Sequence, residues 1–164
     1  MPRRTIGIAF AAGLALLACF AFRAGADTDA QGFIRLAPDE LQWKTVSDNG
    51  VKSAVLFGDP SKPGLYVVRN IFPPGIMSMP HFHDHDRTVV VIKGTWYTGT
   101  SRDWDPDRTV AIKAGGFMMH PAGAVHYDGA KDEEAIVQIT GMGPVSTVFA
   151  HPDYKGFGRP HKLD

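Results

Sequence analysis

Three histidines fall within five residues in the stretch MPHFHDHDRTVVVIKG, residues 79–94: His81, His83 and His85. Imidazole is the commonest metal ligand and a proton carrier near neutral pH. In a strand, side chains two apart share a face, so His81 and His83 point the same way, as do Met77 and Met79, while Pro80 and Phe82 point away. Two imidazoles on one face make a bidentate clip for a first-row metal. One clip cannot close a coordination sphere. The stretch GGFMMHPAGAVHYDGA, residues 115–130, offers the third ligand. A hairpin through Pro121-Ala122-Gly123 could return His126 to the clip.

The elements that must hold these groups are strands. Runs rich in β-branched and aromatic residues recur at 51–57, 65–72, 88–93, 95–98, 109–113, 116–120 and 135–140. Turn chemistry separates them, including Gly58-Asp59-Pro60, Pro73-Pro74-Gly75, Lys93-Gly94, Ala114-Gly115-Gly116 and Gly141-Met142-Gly143-Pro144. Only 38–43 suggests a turn of helix. This rhythm predicts an all-β sandwich or double-sheet jelly roll. The tail from His151 to Asp164 reads as a surface segment or a strap onto a partner subunit, and a homodimer is expected.

Two spaced motifs carry a family resemblance. Gly75, five residues, His81-Phe82-His83, three residues, Arg87, six residues and Gly94 resemble the first cupin motif. Gly115, five residues, Pro121-Ala122-Gly123, two residues, His126, three residues and Ala130 resemble the second. The likeness extends from about residue 41 to residue 152 and implies a cupin-type double-stranded β-helix, a jelly-roll barrel of six to eight strands. It implies a metal inside, held by His81, His83 and His126. The chain departs from the family where a Glu ligand is common: Arg87 stands there, and a guanidinium cannot ligate a metal. Ala130 replaces the usual Asn. The expected centre is therefore three neutral histidines, as in cupin thiol and diketone-cleaving dioxygenases, with iron(II) favoured over Zn, Mn, Cu or Ni.

Several residues have two readings. Arg87 either faces the pocket and binds an anion, or turns outward to Asp84 or Asp86. His85 is a fourth ligand or an exposed loop histidine. His120, extended ahead of Pro121, could line the pocket mouth. Arg87 and His120 are the candidate catalytic residues. Met77, Met79, Phe117 and Met119 are candidates for an apolar wall. Trp96, Tyr97 and Trp104 flank the hairpin between the motifs. Gln138 could reach a metal-bound water, and Arg69 could be a buried, paired cation. His151 and His161 read as surface residues.

The chain has 164 residues and no formal net charge. Arg3 and Arg4, an apolar run over 6–22 and Ala24-Gly25-Ala26 give the layout of a secretory signal over 1–26. A membrane anchor, a twin-arginine signal, and a lipoprotein anchored through Cys19 are the alternatives. Without Arg3, Arg4 and Arg23, fourteen basic residues oppose seventeen acidic ones, a net of −3. Cys19 is the single cysteine, so a chain cut after Ala26 has no disulfide and no thiolate. No basic patch appears, which argues against nucleic acid. The expectation is one cupin domain over 27–164 in the periplasm or outside the cell, without a membrane span. It is a metal-binding, dioxygenase-like oxidoreductase acting on a small molecule. The alternatives are a non-catalytic metal-binding or sensing module, and a metal-assisted isomerase or lyase.

Overall fold

A computed structural model describes residues 28–156. The signal expected over 1–26, with Cys19, and the tail from residue 157, with His161, lie outside the described residues. Eleven strands follow a short 3₁₀ turn at Pro38–Glu40. They are β1 (Lys44–Thr45), β2 (Lys52–Phe57), β3 (Gly64–Phe72), β4 (His81–Phe82), β5 (Arg87–Lys93) and β6 (Thr95–Gly99). Next come β7 (Val110–Lys113), β8 (Phe117–His120), β9 (Tyr127–Gly129), β10 (Ala135–Gly143) and β11 (Val148–Phe149). No described helix is long and apolar enough to cross a membrane.

All strand pairs are antiparallel. One sheet has the order β1-β2-β3-β10-β5-β8. Opposite it lie β7-β6-β9 and the pair β11-β4. Two isolated bridges, Met77 to Gly129 and His81 to His126, tie β4 and the segment before it to β9. The sheets are not closed into one hydrogen-bonded ring, and the arrangement is a cupin-type jelly roll. The strands expected from the sequence are present within a few residues. Four short ones, β1, β4, β9 and β11, carry too few residues for a periodic signal.

Alternation decides which side chains face the interior. β10 lies between β3 and β5, and its register sets Val137 opposite both Asn70 and Val91, and Ile139 opposite Val68 and Val89. Val68, Val89, Val91, Val137 and Ile139, with Tyr66, Phe72, Ile76 and Trp96, belong to the apolar core. The same parity turns Arg87 inward with Val89 and Val91. It also sets His120 opposite Arg87 on the neighbouring β8. Gly94 makes the tight β5–β6 turn at φ +72°, where a Cβ would sit 2.3 Å from the Glu134 carbonyl oxygen.

Gly129 lets the two halves of the site approach. A Cβ there would lie 2.4 Å from Met77 Cα and 2.3 Å from the Ile76 carbonyl oxygen. Both contacts are backbone, so neither can swing aside. Gly129→Ala is expected to force β9 from the 76–78 segment and to cost about 1–3 kcal/mol, as overpacking does. Thermal denaturation by circular dichroism checks this; an unchanged midpoint would show that the close approach is not required.

Candidate metal centre

Each half of the centre is set by a different element. The Pro80 bend precedes β4, which carries His81 and leads to His83. His126 enters β9 directly opposite: His81 N–H donates to the His126 carbonyl at 2.9 Å and His126 N–H to the His81 carbonyl at 2.8 Å. Backbone pairing thus fixes the two halves together. The ring centroids of His81, His83 and His126 lie 4.5–5.3 Å apart, and one ligand nitrogen from each lies within 4.8 Å of the others.

The hydrogen bonds of these rings are the test of fit for a metal. His81 Nδ1 lies 2.6 Å from the Met79 carbonyl, His83 Nδ1 2.7 Å from that of Ser146, and His126 Nδ1 3.0 Å from that of Ala124. A carbonyl only accepts, so each Nδ1 carries the hydrogen and each Nε2 keeps its lone pair. This tautomer is inferred from the partners. Nε2 of His83 and of His126 is buried without a hydrogen-bond partner. Outer hydrogen bonds of this kind orient histidine ligands at metal sites. Burial lowers the pKa of all three rings, with His83 and His126 brought down to about 3. They are neutral at physiological pH, as ligation requires. The donor set fits a borderline divalent ion of the first transition row.

Beside this group stands a second. The His120 ring stacks on His126 at 3.8 Å between centroids. Its Nδ1 is 3.4 Å from Arg87 Nη2, a long contact in which the guanidinium donates. Its Nε2 is 3.0 Å from Asp128 Oδ2, within ion-pair distance, though the pair is not aligned as a linear hydrogen bond. Arg87, His120 and Asp128 form a chain along one wall. Burial alone would raise the Asp128 carboxyl, but His120, His126 and His81 outweigh it and hold the group below its ordinary value. Burial lowers the Arg87 guanidinium, while Tyr66 and Asp128 act the other way; it remains a cation.

These groups line a cavity of about 290 Å³ together with Asn70, Ser78 and an apolar surround of Phe72, Trp96, Ile139 and Phe149. Thr147, Phe149 and Gly156 bring the segment after β10 to the cavity. That segment also serves the centre: the Ser146 carbonyl holds His83, and Ser146 N–H donates to Asp84 at 3.1 Å. This bond is the main reason the Asp84 carboxyl is held down at about 2.

Of the residues singled out in the sequence, His81, His83, His126, Arg87 and His120 come together, all facing the same interior. Others do not. His85 is exposed and pairs with Asp84 at 3.1 Å, so it is no fourth ligand. Asp86 accepts from Ala122 N–H instead of pairing with Arg87. Met77 and Met79 are buried but do not line the cavity, because the Pro80 bend resets the alternation and leaves Ser78 on the wall. Phe117 and Met119 lie on the outer face of β8, 62% and 47% exposed. Gln138 is on the outer face of β10 and accepts from Arg69 at 2.8 Å. Tyr97 lies under Lys131. Trp104 donates to the Ser78 carbonyl from the loop after β6. His151 is partly exposed, 3.6 Å from Asp103. Asp128 was missing from the sequence reading. Its signal was available: it stands two residues after His126, on the same face of a strand.

Solved structures share this architecture. The polyketide cyclase RemF from Streptomyces resistomycificus superposes with a TM-score of 0.58 at 19% identity, covering 74% of this chain and 89% of that one. The DMSP lyase DddQ from Ruegeria pomeroyi gives 0.55 at 16% identity, with 70% and 64% covered. An RmlC-like cupin from Shewanella frigidimarina gives 0.53 at 17% identity, with 65% and 87% covered. At these identities the likeness is one of fold. No curated protein sequence matches the chain. A family model described as a domain of unknown function, DUF4437, matches residues 36–146. More than half of the sequence, both histidine motifs included, falls in that match, and the chain belongs to this family, with a cupin-like fold.

Proposed function

We propose that the protein is a metal-dependent enzyme that moves a proton on a small organic molecule, a lyase, cyclase or isomerase in class. The observation that carries this is the pairing of two groups side by side: three converging histidines, with Nε2 of His83 and of His126 buried without a partner, and the buried Asp128–His120 pair, whose imidazole stacks on His126. His81, His83 and His126 would hold a divalent ion, which would supply Lewis acidity toward a substrate oxygen or sulfur and, as iron(II), electrons for O₂. Asp128 holds hydrogen on His120 Nε2 and so leaves the lone pair on Nδ1. His120 Nδ1 is then the proton acceptor, and Asp128 stabilises the imidazolium that forms, the role a buried carboxylate takes in a nucleophile–His–Asp triad. Phe72, Trp96, Ile139 and Phe149 exclude water. RemF is a polyketide cyclase and DddQ a DMSP lyase, which supports this class.

A second reading has its own support. The donor set is charge-neutral, with Arg87 where a carboxylate ligand is common, which suits a dioxygenase-like oxidoreductase with iron(II). One experiment separates the two. The protein loaded with iron(II), manganese or zinc is incubated in D₂O with a panel of β-diketones, 2-oxo acids and thiols. Proton NMR follows deuterium uptake, and an electrode follows oxygen. Deuterium incorporation at carbon without oxygen uptake is expected. Oxygen consumption coupled to one panel member would establish the second reading, and binding without either signal would identify a non-catalytic module. The proposal also places the protein outside the cytoplasm, supported by the signal layout over 1–26. It includes pairing of two copies, supported by the exposed apolar residues Val90, Phe117 and Met119 on neighbouring strands.

A further inference from the structure

We infer that the cavity is a receptor for a small organic monocarboxylate, held by Arg87 beside the three-histidine centre. The inference deepens the reading above by naming a substrate class, and it rests on that reading only for what happens to the bound molecule. Arg87 projects from β5 into the cavity. It meets His120 Nδ1 at 3.4 Å and the Tyr66 hydroxyl, neither of them a carboxylate. No carboxylate lies within salt-bridge distance of it among the described residues. Asp128 is taken up by His120 at 3.0 Å. Arg87 Nε is sealed from solvent and has no acceptor.

A guanidinium carries five donors and no acceptor. Asp128 acts on Arg87 only through space, and a guanidinium held largely away from water without a direct ion pair is costly, a cost that a complementary anion relieves. Trp96 adds a second unmet donor. It is 1% exposed, it lines the same cavity, and its Nε1–H has no partner. A guanidinium on the cavity wall with no carboxylate at salt-bridge distance among the described residues calls for an acceptor that is itself charged and has two oxygens, which a carboxylate provides. The remaining wall defines the rest of the molecule. Phe72, Trp96, Ile139 and Phe149 are apolar, and about 290 Å³ holds a body of benzoate size. A second negative charge on that body would face Asp128, which disfavours dianions.

The test is calorimetric titration of benzoate and of benzamide, its neutral isostere, into the full chain. Zinc-loaded and metal-free protein are both used. Benzoate is expected to bind about 10- to 100-fold tighter than benzamide, the range for hydrogen bonds to a charged group. In Arg87→Met the preference should fall to within threefold of parity, while zinc content stays at the unmodified level. Arg87→Lys keeps the charge without the fork and should retain part of the preference; it also serves if the methionine variant does not fold. Equal affinity for acid and amide in unmodified protein overturns the inference. So does an acid preference that survives in Arg87→Met, which would assign the anion to the metal alone. Metal-free protein keeps Arg87 and Trp96, so an acid preference there upholds the receptor even if no metal-dependent activity exists.

Discussion

His126→Ala protein is expected to carry less than a tenth of the metal of the unmodified protein. His126 is the point where β9 meets β4, and it supplies one of three converging nitrogens. Loss of an outer hydrogen-bond partner typically costs about 10–100-fold in metal affinity, and loss of a ligand costs more. The fold should survive, because the bonds joining His81 to His126 run through the main chain and do not need the imidazole. Elemental analysis after dialysis, with circular dichroism as a control, reads both outcomes. Full metal content in the variant would move the centre elsewhere. A folded unmodified protein that takes up no metal from iron, zinc or manganese would mean that the rings only pack.

The second large effect is expected at Asp128. Asp128→Asn keeps the shape and removes the charge. The amide must either offer its N–H₂ to His120 Nε2 or leave a buried polar group unmet. In the first case the imidazole changes tautomer and its lone pair leaves Nδ1. Deuterium exchange should fall by about 10²–10⁴-fold, the usual contribution of a positioned acid–base group, with metal content unchanged. Nitrogen-15 NMR of the imidazoles supplies a readout that a structural role would not move: the protonated nitrogen of His120 should switch from Nε2 to Nδ1. A variant that exchanges deuterium at the unmodified rate would remove His120 and Asp128 from the chemistry.

Much of the site was legible because strands have a fixed period and the motifs have fixed spacing. The clip of His81 and His83 follows from strand alternation and the return of His126 from the turn at Pro121-Ala122-Gly123, whereas the directions of Arg87 and His120 were open in the sequence. The errors have local physical causes. Extrapolating alternation backwards from His81 put Met77 and Met79 on the pocket wall, but Pro80 bends the chain and shifts the parity by one. Phe117 and Met119 looked like lining because they are apolar; alternation in β8 shows that they share an outer face, while Met118 and His120 turn inward. Gln138 follows the same rule in β10.

The sequence alone determined that the chain is all-β, that it carries both cupin motifs, and that three histidines replace a mixed histidine–carboxylate set at the candidate centre. The first is a property of periodicity, which acts over a few residues; the other two are what the resemblance of the two motifs implies. Only the tertiary structure decided which way Arg87 points, because Asp84 and Asp86, three residues and one residue before it, were both local partners for an outward guanidinium. In the fold Asp84 takes Ser146 N–H and His85, and Asp86 takes Ala122 N–H. Parity with Val89 and Val91 then carries the guanidinium inward to a neighbour 33 residues away, His120. Likewise Asp128 meets His120 across the turn between β8 and β9, and the Ser146 carbonyl reaches His83 from 63 residues away. Long-range register, which no local pattern encodes, turns a list of histidines into a centre with an anion-binding wall.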